Sequence, residues 1–331
     1  MNSPIFVLGA HKSGTSLLRS LFDNHPELFV VPFESHFFQM LGSPIAYPYR
    51  KQFFEARTID AVVNSMNNYL SFINRHNDPL SDSVMKDKVN TQKAYLSLEK
   101  FKAENVGKEV AWADMFMAYC EAIHEGLDKG SLSSETRILE KSVENAELVS
   151  EIKYMFPDAK FIHIIRNPYA NIVALRKFKS IGGYPYLKLI IETLENNYYH
   201  AVKNCFLYKN DYRIIRYEDL LSNSEFVLKD ICSFVEIEYN DRILSPTSLG
   251  SEWKGNSTSG SNFNGICDSN LNKWQGEISN FEIAFANKFL YKYINHWGYE
   301  LLSNPGIIHK VLPCKGENLR TYLKNRIYLV H

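Results

Sequence analysis

Charge of either sign is missing in the balance: lysine plus arginine number 37, and so do aspartate plus glutamate. The chain therefore lacks the net field that gathers nucleic acid or anionic membrane nonspecifically, so any anion it binds must be held by a local cluster. Cysteine is scarce as well. The five residues Cys120, Cys205, Cys232, Cys267 and Cys314 are odd in number, scattered and without CxxC spacing. Neither a disulfide framework nor a zinc site is suggested by that pattern, and no metal is expected. No apolar run approaches the roughly 20 residues needed to span a bilayer. The first strand-like run, Ile5 to Leu8, starts almost at Met1 and leaves no room before it for a secretion signal or anchor, so a soluble, cytoplasmic protein is expected.

What remains is a chain of 331 residues, 45% hydrophobic and 14% aromatic, enough to bury one large core. Pro4 to Leu8 is an apolar run, and Ser16 to Phe22 carries leucines at helical spacing after a glycine-bearing turn. A second strand is expected at Phe29 to Val31, ending at Pro32 and leading into Glu34-Ser35-His36. Residues 44–130 read as a helical insertion over one end of a sheet. Further strands are expected at Arg137 to Lys141, Lys160 to Ile165 and Tyr212 to Ile215, with helices between them. That alternation predicts an α/β fold with a central parallel sheet and right-handed crossovers. Residues 250–270 form a long loop rich in glycine, serine and asparagine, and a helical run from Phe281 to Trp297 follows. The organisation expected is one domain over 1–300 and a basic C-terminal extension over 301–331 packed on it.

Two segments carry the chemistry. Gly9-Ala10-His11-Lys12-Ser13-Gly14-Thr15-Ser16 has GxxxxG spacing between a strand and a helix. Glycines there let the backbone curl so that N–H groups and a helix N-terminus face an anion. After Gly14 stands Thr15 where a nucleotide-triphosphate loop has lysine, and the one lysine is Lys12. Such a loop suits a phosphate or phosphosulfate without the usual magnesium site. The strand Lys160 to Ile165 ends in Arg166, then Asn167-Pro168, where an ATPase would place a metal-holding aspartate. A cation at that strand end suits a second phosphate.

With these segments in view the chain resembles the sulfotransferases that use 3′-phosphoadenosine 5′-phosphosulfate (PAPS), particularly the carbohydrate and protein-tyrosine branch. Gly9 to Leu18 is similar to that family's 5′-phosphosulfate loop and Phe161 to Lys177 to its 3′-phosphate segment. Glu140-Lys141-Ser142, Phe156-Pro157-Asp158-Ala159-Lys160-Phe161, Arg216-Tyr217-Glu218-Asp219-Leu220-Leu221, Trp253-Lys254-Gly255-Asn256-Ser257 and Lys273-Trp274 through Ile278-Ser279 follow in the family's order. The resemblance implies a P-loop-like three-layer fold with the helical insertion over the active site. It also implies cofactor contacts from Lys12, Ser13, Gly14, Thr15, Ser16, Arg166, Tyr217 and Lys273. One departure stands out: Ala174 occupies the place of the family's serine eight residues after the arginine, unless Arg176 or Lys177 supplies the missing bond.

Sulfuryl transfer, by analogy with phosphoryl transfer, rests on positioning and electrostatic stabilisation. Lys12 is placed for the departing oxygen and Lys141 for the transferring group or the acceptor, although a surface lysine beside Glu140 is an equal reading. Glu34 is the chosen base, with His36 and His11 as rivals because an imidazole titrates near neutrality. The expected partner is a hydroxyl acceptor: a carbohydrate, glycolipid, tyrosine or small alcohol. Tyr47, Tyr49, Phe53, Phe54, Trp112, Phe116 and Tyr119 would line its pocket or pack in the core, their helical spacing favouring the core. Contact of the basic tail with an anionic surface is the less favoured reading against packing on the domain. The alternatives are a P-loop small-molecule kinase, which would need magnesium and ATP, and a non-catalytic binder of 3′-phosphoadenosine nucleotides.

Overall fold

The computed structural model describes residues 3–42, 45–46, 58–75, 85, 87–180, 183–253, 255, 265–306 and 311–330. Five strands form one parallel sheet: β1 Ile5–Gly9, β2 Leu28–Val30, β3 Arg137–Lys141, β4 Lys160–Ile165 and β5 Tyr212–Arg216. Their spatial order is β2-β3-β1-β4-β5. The chain leaves β1 for the far edge, returns to β3 beside it, then crosses to β4 on its other side. The switch of direction therefore falls at the carboxyl end of β1, where open parallel sheets bind ligands.

Strands buried on both faces need apolar residues throughout, and alternation decides which layer each one enters. Phe6, Leu8 and Phe161 enter one core layer with Phe38 and Phe116. Phe6 lies 5.6 Å from Phe161 and 5.9 Å from Phe38, centroid to centroid. Ile5, Val7, Ile162 and Ile164 enter the opposite layer with Leu18, Leu21, Leu228 and Ile231. A third cluster, including Tyr169, Leu175, Ile190, Tyr198, Phe281 and Phe285, binds the helices Pro168–Lys179, Leu187–Leu207 and Asn280–Phe289 to one another. The layers match the expected sandwich of helices about a parallel sheet.

The described part of 44–130 contains three helices, Ile59–Arg75, Thr91–Glu104 and Trp112–Gly126. On the first, Val62, Met66, Tyr69, Leu70 and Ile73 recur at helical spacing and face the core. Phe116 and Tyr119 are core residues, as their spacing suggested, and Trp112 packs against the same cluster. Tyr47, Tyr49, Phe53 and Phe54 lie outside the described residues.

Local chemistry shifts some boundaries. The second strand closes at Val30, one residue before the expected limit, and the run from Phe281 breaks at Leu290 into Asn280–Phe289 and Tyr291–His296. Ser279 starts the former with a capping box to Glu282. The tail helix Leu319–Val330 docks through Asn325, which accepts from Leu187 N at 2.9 Å and donates to Glu317 Oε1 at 2.8 Å. Tyr328 stacks on Phe289 at 4.8 Å, whereas Leu319, Leu323 and Ile327 remain exposed. Among the described residues no helix is long and apolar enough to cross a membrane.

Candidate active site

The loop after β1 is built as its glycines dictate. Gly14, the N-cap of Thr15–Phe22, has φ 110°, and a Cβ there would run into the Tyr217 ring. Gly9 admits no side chain either, since a Cβ would lie 2.7 Å from Ile164 O, Ser13 Oγ and Thr15 Cγ2. Ser13 tightens the turn by donating both N (3.1 Å) and Oγ (2.8 Å) to Ala10 O. Lys12 sits at φ 62°, an uncommon conformation for a non-glycine residue, with Nζ 4.6 Å from the Phe178 ring centre. Ser13, Thr15 and Ser16 are buried. The first turn of any helix has N–H groups that no helical carbonyl takes up, and this one opens beneath the curled loop.

Arg166 follows β4 and reaches across to the same loop, where Nη1 donates to Lys12 O at 2.8 Å. Its guanidinium lies 4.6 Å from the centre of the Tyr217 ring. Nε is buried without a hydrogen-bond partner. A buried guanidinium N–H in that state costs stability unless an acceptor arrives. The strand end is anchored on every side: Tyr198 OH donates to Arg166 O at 2.6 Å, and Asn167 N donates to Glu218 Oε1 at 2.9 Å. Glu218 also accepts from Tyr299 OH at 2.9 Å. Asn167 caps the helix Pro168–Lys179 and Pro168 opens it. Burial raises the Tyr217 phenol above its ordinary pKa, with Arg166 opposing, so it remains a proton donor at neutral pH.

A third group lies at the ends of β2 and β3. Lys141 is 1% exposed and Glu34 6%, and Nζ meets Oε1 at 2.7 Å. The surface-lysine reading of Lys141 is thereby replaced by a buried ion pair. Glu34 Oε2 lies 3.6 Å from His36 Nε2, and the other ring nitrogen, Nδ1, lies 2.5 Å from Glu144 Oε1. Gln39 Nε2 also donates to Glu144. Burial disfavours the Glu144 carboxylate, but attraction and hydrogen bonding from His36 more than offset it, bringing the pKa down to about 2. Glu140, next to Lys141, faces the other way. Burial pushes it up to about 7 against hydrogen bonds from Ser142 and Ser35.

His11 lies within the influence of Glu34, Lys141 and Glu144, and burial lowers its pKa to about 4. So weak a base is poorly matched to work near neutrality. Lys273 is exposed, in the turn Lys273–Gly276 whose Trp274 stacks on Tyr169 with centroids 5.9 Å apart. Arg176 and Lys177 are committed elsewhere: Arg176 Nε pairs with Glu282 at 2.7 Å, and Lys177 pairs with Glu277. Of the segment Trp253 to Ser257, residues 254, 256 and 257 lie outside the described residues. Sequence reasoning missed Glu144 and Gln39. The available signal was their distance of three residues from Lys141, the last residue of β3, and from His36, in the segment that follows β2.

A parallel sheet whose carboxyl edge carries a glycine cradle and basic side chains on neighbouring strands defines an α/β protein of the P-loop-like class. Residues 4–241 match the sequence pattern of the sulfotransferase family, and the chain belongs to that family. Its fold is similar to the sulfotransferase domain from the curacin biosynthetic pathway, at 16% identity and TM-score 0.57, covering 91% of this chain and 99% of that one. It is also similar to the sulfotransferase domain from the Synechococcus PCC 7002 olefin synthase, at 16% identity and TM-score 0.51, covering 83% and 89%. No curated protein sequence matches the chain.

Proposed function

We propose that this sulfotransferase moves a sulfuryl group from PAPS to a hydroxyl acceptor, in the manner of the carbohydrate and tyrosine branch. The observation that supports it most is the Arg166 guanidinium, bonded to the Lys12 loop while its buried Nε lacks a partner. The residues fit the donor. Gly14 leaves the loop open where any side chain would strike Tyr217, and Arg166 and the Tyr217 phenol present donors for the 3′-phosphate. When bound, PAPS supplies a sulfuryl group on an activated phosphosulfate and leaves as 3′-phosphoadenosine 5′-phosphate (PAP).

The chain's own groups divide the work. Lys12, Ser13, Gly14, Thr15 and Ser16 hold the 5′ end, and Lys12 neutralises charge there. Glu34 takes the proton of the acceptor hydroxyl, and Lys141 keeps that carboxylate aimed while adding positive charge beside the reacting group. Lys273 is proposed as an outer nucleotide contact. The kinase reading would need a metal-holding carboxylate at the end of β4, where Arg166 stands.

Calorimetry with PAP, ATP and ATP plus magnesium is the test of the nucleotide, and radiolabelled transfer to a panel of sugars, phenols and alcohols is the test of the reaction. PAP should bind and ATP should not. Magnesium-dependent ATP binding without PAP binding would overturn the assignment.

A further inference from the structure

The buried group beside Lys141 is larger than a single proton acceptor at Glu34 requires. His36, at φ 51° and 4% exposed, is held in an unusual backbone conformation at the start of the short helix Phe37–Met40. Its Nδ1 side faces Glu144 and Gln39. Glu144 Oε1 lies 2.5 Å from Nδ1, and Gln39 Nε2 lies 2.9 Å from the same nitrogen while also donating to Glu144. The carboxylate is the common acceptor for both. Taking Nδ1 as the donor to Glu144 leaves Nε2 turned toward Glu34 Oε2 at 3.6 Å. The ring edge is closed by Tyr69, whose centroid lies 5.5 Å away and whose hydroxyl donates to Glu34 O at 3.0 Å.

Charge completes the argument. Glu34 and Glu144 contribute one negative charge each and Lys141 one positive charge, so with a neutral imidazole the set is one proton short of neutrality. A low-dielectric site with one excess charge is a ready proton acceptor. The other titratable groups near it include Glu140, which faces Ser35, Ser142 and Asn145, the Tyr69 phenol, and His11 on the loop side, with Lys179 acting on His11.

We propose that Glu144 is a positioning residue which fixes His36 with Nδ1–H on its carboxylate, so that Nε2 receives the proton Glu34 takes from the acceptor. In that step the O–H bond at Glu34 Oε2 breaks, an N–H bond at His36 Nε2 forms, and the imidazolium is balanced by Glu144. The 3.6 Å separation must close by about 1 Å for the transfer, and catalytic contacts often tighten in this way once substrate binds. The inference rests on Glu34 acting as base.

The test is nitrogen-15 histidine NMR on the full chain, with the His36 signals assigned by their loss in His36→Asn. In the unaltered protein His36 Nδ1 should report a bonded proton at every pH from 5 to 9; a bare Nδ1 would overturn the proposal without any variant. Glu144→Gln should lower the His36 titration midpoint by about one pH unit or more, because an adjacent carboxylate is removed. The exchanged variant, Gln39→Glu with Glu144→Gln, returns a carboxylate to the same nitrogen and should restore the midpoint. Unchanged His36 signals in Glu144→Gln would sink the idea. PAP affinity, measured by calorimetry on the same samples, should stay within about twofold. Absence of PAP binding by the unaltered chain would instead count against the functional reading, so the two failures are separable.

Discussion

Replacing Lys141 by methionine isolates the buried pair that links the strand ends to the chemistry. With Nζ and Oε1 2.7 Å apart and both side chains nearly inaccessible, the gross attraction at an effective dielectric of 20 is about 6 kcal/mol. Desolvating two ions consumes much of this, so the pair as a whole adds little to net stability. Removing one partner is different, since Glu34 is then left buried and unpaired at a cost of about 3 to 5 kcal/mol. Lys141→Met should show that loss in urea unfolding, whereas Glu34→Gln with Lys141→Met should be markedly less destabilised than the sum of the single changes. A coupling of about 2 kcal/mol or more is expected from the four-protein cycle. Additivity within about 0.5 kcal/mol would refute the claim that the two side chains act as a buried ion pair. Glu34→Gln should also retain PAP affinity while transfer falls by roughly 100-fold or more.

Ala174→Ser restores a hydroxyl on the helix that follows Arg166, and since Arg176 and Lys177 are paired with Glu282 and Glu277, it should tighten PAP binding measurably by calorimetry. The ceiling is about 1.5 to 3 kcal/mol, the worth of a hydrogen bond to a charged group, and unchanged binding would show that the nucleotide does not approach this helix. Glu34, His36 and Glu144 bring ligand atoms within 4.8 Å of one another, a spacing that also suits a divalent ion. EDTA should leave the transfer rate unchanged; inhibition reversed by added zinc or manganese would reassign the trio as a metal centre. His163, in β4 between Tyr212 OH and Asn197, has its pKa lowered to about 4 by burial. The unfolded chain binds its proton first, so this stability is present above pH 6.5 and lost as pH falls toward 4, worth roughly 3 kcal/mol at about 1.4 kcal/mol per pH unit. His163→Gln should flatten that part of the stability curve, and parallel curves would contradict it.

The strands and the loop after β1 were legible in the sequence because each is local. Apolar runs of five or six residues mark strands buried on both faces, and Gly9 and Gly14 mark a turn that no side chain tolerates. What could not be read were pairings across the sheet edge. Glu34 and Lys141 are 107 residues apart, and His36 and Glu144 are 108 apart, so nothing local announces that they touch. The same distance problem holds for Arg176. In sequence it lies within the segment Phe161 to Lys177, and its side chain turns to Glu282 on a helix that starts at Asn280. The insertion's helices were visible as periodicity, but the bond from Tyr69 to the Glu34 backbone was not.

Sheet order sets these scattered residues side by side. Reading the carboxyl edge from β2 to β5 gives Glu34, Lys141, Lys12, Arg166 and Tyr217, although in the chain Lys12 comes first and Lys141 lies far from Glu34. Neighbouring strands are about 4.8 Å apart, so the β2 end and the β4 end are separated by roughly 14 Å. On the proposed reading, that span would carry the proton acceptor at one end, the transferring group and its phosphate in the middle, and the second phosphate at the other. The crossover that carries β3 back between β2 and β1 is what inserts Lys141 between Glu34 and the loop. Had β2 paired directly with β1, Glu34 would stand beside Lys12 with no buried cation between them. On the proposed reading, Glu34 would then compete with the phosphosulfate for the same lysine. Topology, rather than any single motif, is therefore what keeps the basic and acidic halves of this site in register.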